Sequence, residues 1–292
     1  MSPPPTLHLF QIAYSAETRA MVGPGFEVLD NLDNQRPDWY EYWPIRRFLL
    51  GQALDEAAFY GFFSPKFTFK TTLTASDVRA MVQLHAAKAD VLLFSPQPDM
   101  GAFFLNVFEQ GATFDPQLID VTQRLLQAIG RPAPPLNQLV MDSRQIVFSN
   151  YFVARPAFWR EWLAINEALF AICEGPPSAL KADLEANTLY RGGAQRKVFV
   201  MERMASLLLS SQPRWRSRAA NPYTTGWSRS RLARFPHEAA MSDALKIAWR
   251  EQRFPQFMEA FGELRERMHE RMLAMPSEGG ATASPAPGAE VR

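Results

Sequence analysis

The amino-acid sequence predicts an α/β protein with a mostly parallel central sheet, flanking helices and further helices at the C-terminal end. Three observations carry this prediction. Over the first 100 residues, short apolar runs rich in β-formers alternate with amphipathic stretches, the pattern of βαβ units. Each apolar run ends in polar or proline-containing residues: Tyr14-Ser15, Asp30 to Asn34, Ser64 to Lys66 and Ser95 to Asp99. From Glu238 to Met275 the apolar spacing is helical throughout, interrupted by Phe254-Pro255.

In chain order, the three prolines of residues 1 to 5 read as a frayed lead-in, and Leu7 to Ala13 as the first strand. Ser15 to Met21 suits a short helix, Gly23-Pro24-Gly25 a turn, and Phe26 to Leu29 a second strand. A helix is expected from Pro37 to Leu50, with Asp38 and Glu41 at its positive end. Ala58 to Phe63 is the third strand. Thr74-Ala75-Ser76-Asp77 has capping-box spacing and opens a helix to Ala87. Asp90 to Phe94 is the fourth strand. Residues 101 to 130 read as helical with a polar break at Glu109-Gln110-Gly111, and 131 to 137 as a proline-rich loop. Gln145 to Ala154 alternates and is expected to be a strand, with helices over Ala157 to Ala171 and Val198 to Ser210. Pro276 to Arg292, dominated by Gly, Ala, Ser and Pro, has the composition of a disordered tail. The expected organisation is residues 6–212 as an α/β domain and 213–275 as a helical extension.

Composition narrows the function classes. The 292 residues, 47% of them apolar, suffice for one large core and a small extension. With 31 basic and 30 acidic residues the net charge is +1, so no global field favours nucleic acid and an anionic ligand needs a local cluster. The single cysteine, Cys173, has no internal disulfide partner and reads as a buried structural thiol. The N-terminal sequence has no basic and apolar regions of a secretion signal, and no apolar run reaches the ~20 residues that span a bilayer. A cytoplasmic location, with peripheral contact at the inner membrane face left open, is the expectation.

Phosphate-loop, dinucleotide, nucleophile-elbow and zinc-protease motifs are absent, and His8, His85, His237 and His269 are scattered. What remains is carboxylates and basic residues at the expected strand ends. Asp30, Asp33 and Glu41 have the chemistry to hold magnesium or manganese, or ribose and sugar hydroxyls; Asp and Asn also gather in turns for purely local reasons. Tyr60 to Phe67 runs an apolar strand into Ser64-Pro65-Lys66, which suits a base and diphosphate, while core aromatics followed by a solvated lysine is the simpler reading of the residues alone. Asn150, within Phe148 to Phe152, suits a sugar hydroxyl or a buried backbone group. Glu202 and Arg203 suit an acid/base and phosphate pair or a surface ion pair.

In this order these blocks resemble a family of bacterial glycosyltransferases of capsular and exopolysaccharide assembly, formerly classed as a domain of unknown function. The first block is Asp30-Asn31-Leu32-Asp33-Asn34-Gln35-Arg36-Pro37-Asp38-Trp39-Tyr40-Glu41-Tyr42-Trp43. The others are Tyr60 to Phe67, Asp90 to Pro96, Phe148 to Trp162 and Val198 to Arg203, so the resemblance spans roughly residues 6 to 210. In the second block the family usually carries His-Tyr-Arg-Arg where this chain has Phe-Phe-Ser-Pro-Lys, and no metal-binding Asp-X-Asp is evident.

The resemblance implies a glycosyltransferase A-like fold and transfer of a sugar from a nucleotide-sugar donor to a surface or capsular glycan, free or lipid-linked. It implies Tyr14, Asp30, Asn31, Asp33, Glu41, Ser64 and Lys66 at the donor, Asn150 and Arg203 at the acceptor, and Glu202 or Asp142 as base. Manganese or magnesium, or basic groups, would offset the diphosphate. The alternative is a non-catalytic partner or scaffold of a polysaccharide-synthesis operon. A transferase calls for a cleft of several hundred cubic ångströms at the strand ends, lined by these residues.

Overall fold

The structure, a computed structural model, describes residues 5–131, 133–190 and 193–276. Except for Pro5 and Pro276, the expected lead-in and tail lie outside the described residues. In chain order the elements are β1 (Leu7–Ala13), α1 (Ala16–Ala20), β2 (Glu27–Asp30), α2 (Tyr42–Gly51), β3 (Phe59–Phe63), α3 (Phe67–Thr71), α4 (Ala75–His85) and β4 (Val91–Leu93). Then follow α5 (Pro98–Ala102), α6 (Val107–Ala112), α7 (Leu118–Ala128), β5 (Phe152–Ala154), α8 (Pro156–Glu174), α9 (Ala179–Glu185), α10 (Arg196–Glu202) and α11 (Met204–Ser211). The last are β6 (Ser217–Ala219), α12 (Pro236–Gln252) and α13 (Pro255–Ala274).

The six strands form one mixed, mostly parallel sheet in the order β2-β1-β3-β5-β4-β6. Strands β1, β2 and β3 pair in parallel, as do β4 and β6, while β5 runs antiparallel between β3 and β4. Alternation along the strands divides the core in two. Phe10, Ile12, Tyr60, Phe62, Leu93 and Phe152 meet the large aromatic stripe of α8 (Phe158, Trp159, Trp162) and residues of α2, α7 and α11 on one face. Leu9, Phe59, Phe63, Leu92 and Val153 meet Phe67 of α3 and Val78 and Val82 of α4 on the other. Helices therefore cover both faces.

Several local signals work as read. Thr74 and Asp77 cap one another: the Thr74 amide donates to the Asp77 carboxylate at 2.8 Å, and the Asp77 amide donates to the Thr74 hydroxyl at 3.3 Å. Prolines 156, 236 and 255 each occupy a first helical turn, where the missing N–H costs nothing.

Other readings are corrected. The expected helix from Pro37 is a 3-10 turn at Pro37–Trp39, broken by Tyr40 at φ 46° before α2 begins. Only Phe152–Ala154 of the expected strand 145–154 is extended. Ser149 and Asn150 are left-handed at φ 58° and 53°, because Ser206, Ser95 and Glu202 capture the amides of Val147, Phe148 and Ser149 before a ladder can. The residues Glu109-Gln110-Gly111 lie inside α6, with the break falling after it. Arg203 interrupts the expected helix 198–210. The stretch expected to be purely helical after 212 contributes β6 to the sheet edge, where the Arg216 guanidinium grips Asp90 at 2.9 Å beside β4.

Candidate functional site

Residues that follow a parallel strand all emerge at one rim of the sheet, and residues that precede the reversed strand β5 emerge there too. Tyr14, Asn31, Ser64, Phe94 and Ala220 therefore share a rim with Asn150 and Tyr151. In such sheets this is where ligands bind.

The part of the rim around β1, β3 and β5 is polar and charged. Gln11, buried on β1, donates to the carbonyls of Ser64 at 3.3 Å and Pro65 at 3.2 Å and so fixes the turn after β3. The Ser64 and Tyr151 hydroxyls share a 2.6 Å hydrogen bond. Lys66 opens α3 and Lys70 lies one turn further, so the two ammonium stems share a helix face. Lys70 Nζ donates to Ser149 Oγ at 3.0 Å and lies 5.8 Å from the centre of the Tyr151 ring. The Ser149 amide donates to a carboxylate oxygen of Glu202. Glu41, at the start of α2, interacts electrostatically with Lys70, Glu202 and Lys66.

Burial pushes the Glu41 carboxyl above its usual range; its own amide, Lys70 and Lys66 pull it back, and the like charge of Glu202 adds to the rise. The Tyr14 phenol is held well above its ordinary value by burial, then by Glu41 and Tyr151, and Tyr151 is raised by burial and by both glutamates. Across the cluster, Tyr190 is raised by burial, then Glu202 and Tyr40. Two buried acceptor-capable atoms here, the Tyr14 hydroxyl and Asn150 Oδ1, have no hydrogen-bond partner. Such an atom costs about 1–3 kcal/mol unless something binds it. Tyr40, Ser149 and Asn150, all non-glycine residues in left-handed backbone, flank the cluster and add about 1–3 kcal/mol of strain each.

Six of the sequence-derived candidates thus come together: Tyr14, Glu41, Ser64, Lys66, Asn150 and Glu202. Asn150 reaches the cluster from a left-handed turn, not from a strand, and Glu202 ends a helix instead of beginning one. The other five have different surroundings. Asp30 and Asp33 are exposed and paired with Arg19 at 2.9 Å and Arg47 at 3.1 Å. Asn31 is buried one strand further out, its amide donating to Asn34 at 3.3 Å. Asp142 is fully buried and bound by both ends of the Arg144 guanidinium at 2.9 Å, with Arg250 at 3.4 Å, which leaves it unsuited to take a substrate proton. Arg203 is spent inside the fold on the Val107 and Phe199 carbonyls and Gln110. Sequence reading missed Lys70, Ser149 and Tyr151; the four-residue spacing of Lys66 and Lys70 was the available signal for the first.

Among the described residues no three His, Cys, Asp or Glu side chains gather as a metal-binding group, and the Glu41 carboxylate interacts electrostatically with Lys70 and Lys66. The cavity on this rim is also displaced from the expectation. It measures only about 30 Å³, opens to solvent and lies at the ends of β4 and β6, lined by Ser95 to Pro98, Ser143, Ile146, Phe148, Tyr223 and Asp243 but by none of the eleven candidates. Phe148 joins the two places, since the next two residues belong to the charged cluster. Cys173 is buried on α8 with its thiol pushed up to about 12 by burial, the behaviour of a packing residue. Among the described residues no helix is long and apolar enough to cross a membrane. Compared with family models, with curated proteins and with solved structures, the chain matches none.

Proposed function

We propose that this protein is a glycosyltransferase with a glycosyltransferase A-like sheet, moving a sugar from a nucleotide-sugar donor to a surface or capsular glycan acceptor, from the cytoplasmic side. The observation that carries the reading is the convergence at one rim of two lysines on one helix face, two glutamates and two buried, unpartnered polar atoms. The chemistry needs that combination. The acceptor hydroxyl forms a new C–O bond to the anomeric carbon as the bond to the diphosphate oxygen breaks. The hydroxyl proton goes to a carboxylate, and the departing diphosphate carries the negative charge away.

In this reading Lys66 and Lys70 offset the diphosphate, without a cation held by the protein. Tyr14 and Asn150 take sugar hydroxyls. Glu41, whose raised proton affinity suits a base, receives the proton, a different role from the donor contact that the resemblance implies. Glu202 has one oxygen committed to the Ser149 amide and holds the 148–150 turn while raising Glu41 by its charge.

Thermal shift against nucleoside diphosphates and nucleotide sugars, with and without manganese, tests the reading. A donor at ~100 times its Kd stabilises by about 2.7 kcal/mol. A selective shift that persists without manganese and disappears in Lys66→Ala/Lys70→Ala supports it. No shift with any nucleotide sinks it and favours the non-catalytic partner. That second reading draws on the displaced cavity and on the internal hydrogen bonds of Ser64, Lys70 and Glu202.

A further inference from the structure

In residues 60–67 the rings of Tyr60, Phe62, Phe63 and Phe67 are at most 5% exposed, so none of them can stack on a base beside Lys66. The ring that reaches solvent comes two residues later: Phe69, on α3, is 67% exposed. Successive helical residues turn by about 100°, so Phe69 lies about 200° round from Phe67 and faces away from the core that Phe67 enters. Residues three and four apart on such a turn stand about 5–6 Å apart at Cβ, which sets Lys66 beside both Phe69 and Lys70. One short helix therefore presents an exposed aromatic face next to the two ammonium groups that act on Glu41. The helix is held at both ends. Gln11 fixes the Ser64-Pro65 turn before it. After it, the Thr72 hydroxyl donates to the Thr224 carbonyl at 3.5 Å, and Gly226 packs so closely on the helix end that any side chain there would strike the Lys70 carbonyl.

We propose that Phe69 is the stacking platform for the base of a nucleoside diphosphate whose phosphates lie at Lys66 and Lys70. The proposal rests on the reading that these lysines receive the donor diphosphate, and it adds where the nucleoside goes. A single ribose separates the base of such a ligand from its phosphates, so the ring that stacks on it has to stand close to the cations, as Phe69 does. Single exposed apolar residues are ordinary on protein surfaces; the place of this one beside two lysines is what gives it a ligand. Every base has a π face, so the ring adds affinity for a nucleoside over bare phosphate and makes no choice among bases. Inorganic pyrophosphate meets the same lysines and gains nothing from the ring.

Calorimetry on the full-length chain, with inorganic pyrophosphate, UDP, ADP and GDP as probes, is the test. The wild-type chain is expected to bind at least one of the nucleotides roughly fivefold or more tightly than pyrophosphate. Phe69→Ala should weaken that nucleotide by roughly 5- to 150-fold and leave pyrophosphate within about twofold, whereas Phe69→Trp should keep the nucleotide affinity. Lys70→Ala should weaken nucleotide and pyrophosphate alike. Nucleotide affinity unchanged in Phe69→Ala, an equal loss of nucleotide and pyrophosphate, or a loss that Phe69→Trp does not restore overturns the platform. Sedimentation with phosphatidylglycerol vesicles that disappears in Phe69→Ala would give the ring to a lipid surface and overturn it too. Nucleotide binding that Lys70→Ala weakens and Phe69→Ala does not sinks the platform alone; a wild-type chain that binds no nucleotide sinks the transferase reading with it.

Discussion

Two kinds of charge cluster lie within one molecule. Around Asp115 the account closes: Arg196 reaches its carboxylate twice, at 2.5 and 3.0 Å, and adds Gln117 and the Asp183 carbonyl. Asp142, gripped by Arg144 and approached by Arg250, is equally satisfied. Around Glu41 it stays open, with a carboxyl of raised proton affinity, a like charge nearby, orphaned atoms on Tyr14 and Asn150, and strained backbone on either side. Residue type does not distinguish these places, since both bring acidic and basic side chains together, fully buried around Asp115 and partly buried around Glu41. Completeness of pairing does: the Asp115 and Asp142 networks are closed within the fold, and the Glu41 cluster leaves polar atoms without a protein partner.

The comparison breaks most visibly if Asp115 can be removed cheaply. Asp115→Ala strands the Arg196 guanidinium and should cost about 3–5 kcal/mol in urea unfolding. A loss below ~1 kcal/mol would put that pair on the same footing as an exposed one. Next in size, Lys70→Ala should weaken nucleoside diphosphate binding by about 1.5–3 kcal/mol, or roughly 10- to 150-fold, by removing a charge-assisted contact, as calorimetry would read it. Unchanged affinity would remove Lys70 from the site.

Glu41→Gln sharpens the contrast, because an open site should gain stability when its charge is deleted. A carboxyl whose folded pKa is raised binds its proton more tightly in the native state. The native chain therefore loses stability as pH rises from the ordinary glutamate value through the raised one. Glu41→Gln should remove that slope and raise the midpoint at pH 8 by roughly 2–4 °C, on the order of 1 kcal/mol, while donor turnover falls by about 10²–10⁴-fold. A lower midpoint would mean that Glu41 belongs with the closed networks. Smallest of all, Asp30→Ala breaks only an exposed pair with Arg19 and should change stability by less than about 1 kcal/mol, with donor binding intact.

The legible parts of the fold were those decided locally. Leu7–Ala13 is legible as one strand because Leu7, Leu9, Phe10 and Ile12 make a short run rich in apolar side chains and β-formers, and the Thr74/Asp77 cap needs only four residues. The turn at Ser149-Asn150 was hidden because its partners, Ser95, Ser206 and Glu202, are 53 or more residues away and override a β-prone string. β6 was hidden because Ser217-Arg218-Ala219 has no apolar alternation and forms only against β4. The site was half legible for the same reason. Strand ends located Tyr14, Ser64 and Lys66, whereas Glu202 and Arg203, adjacent in sequence, part company because successive helical residues diverge by about 100°. The strain at Tyr40 leaves no trace in composition.

The reversed strand has a consequence for the order of assembly. β3 and β4 are both complete in sequence before β5, yet in the finished sheet they never touch, and three residues of β5 are the seam between β2-β1-β3 and β4-β6. Each half can form its own pairs, but neither the charged cluster nor its continuity with the cavity exists until Phe152–Ala154 slides into the gap. During synthesis that moment comes only after residue 154 has emerged, and the rim is complete later still, once Glu202 has joined the cluster and β6 has paired with β4.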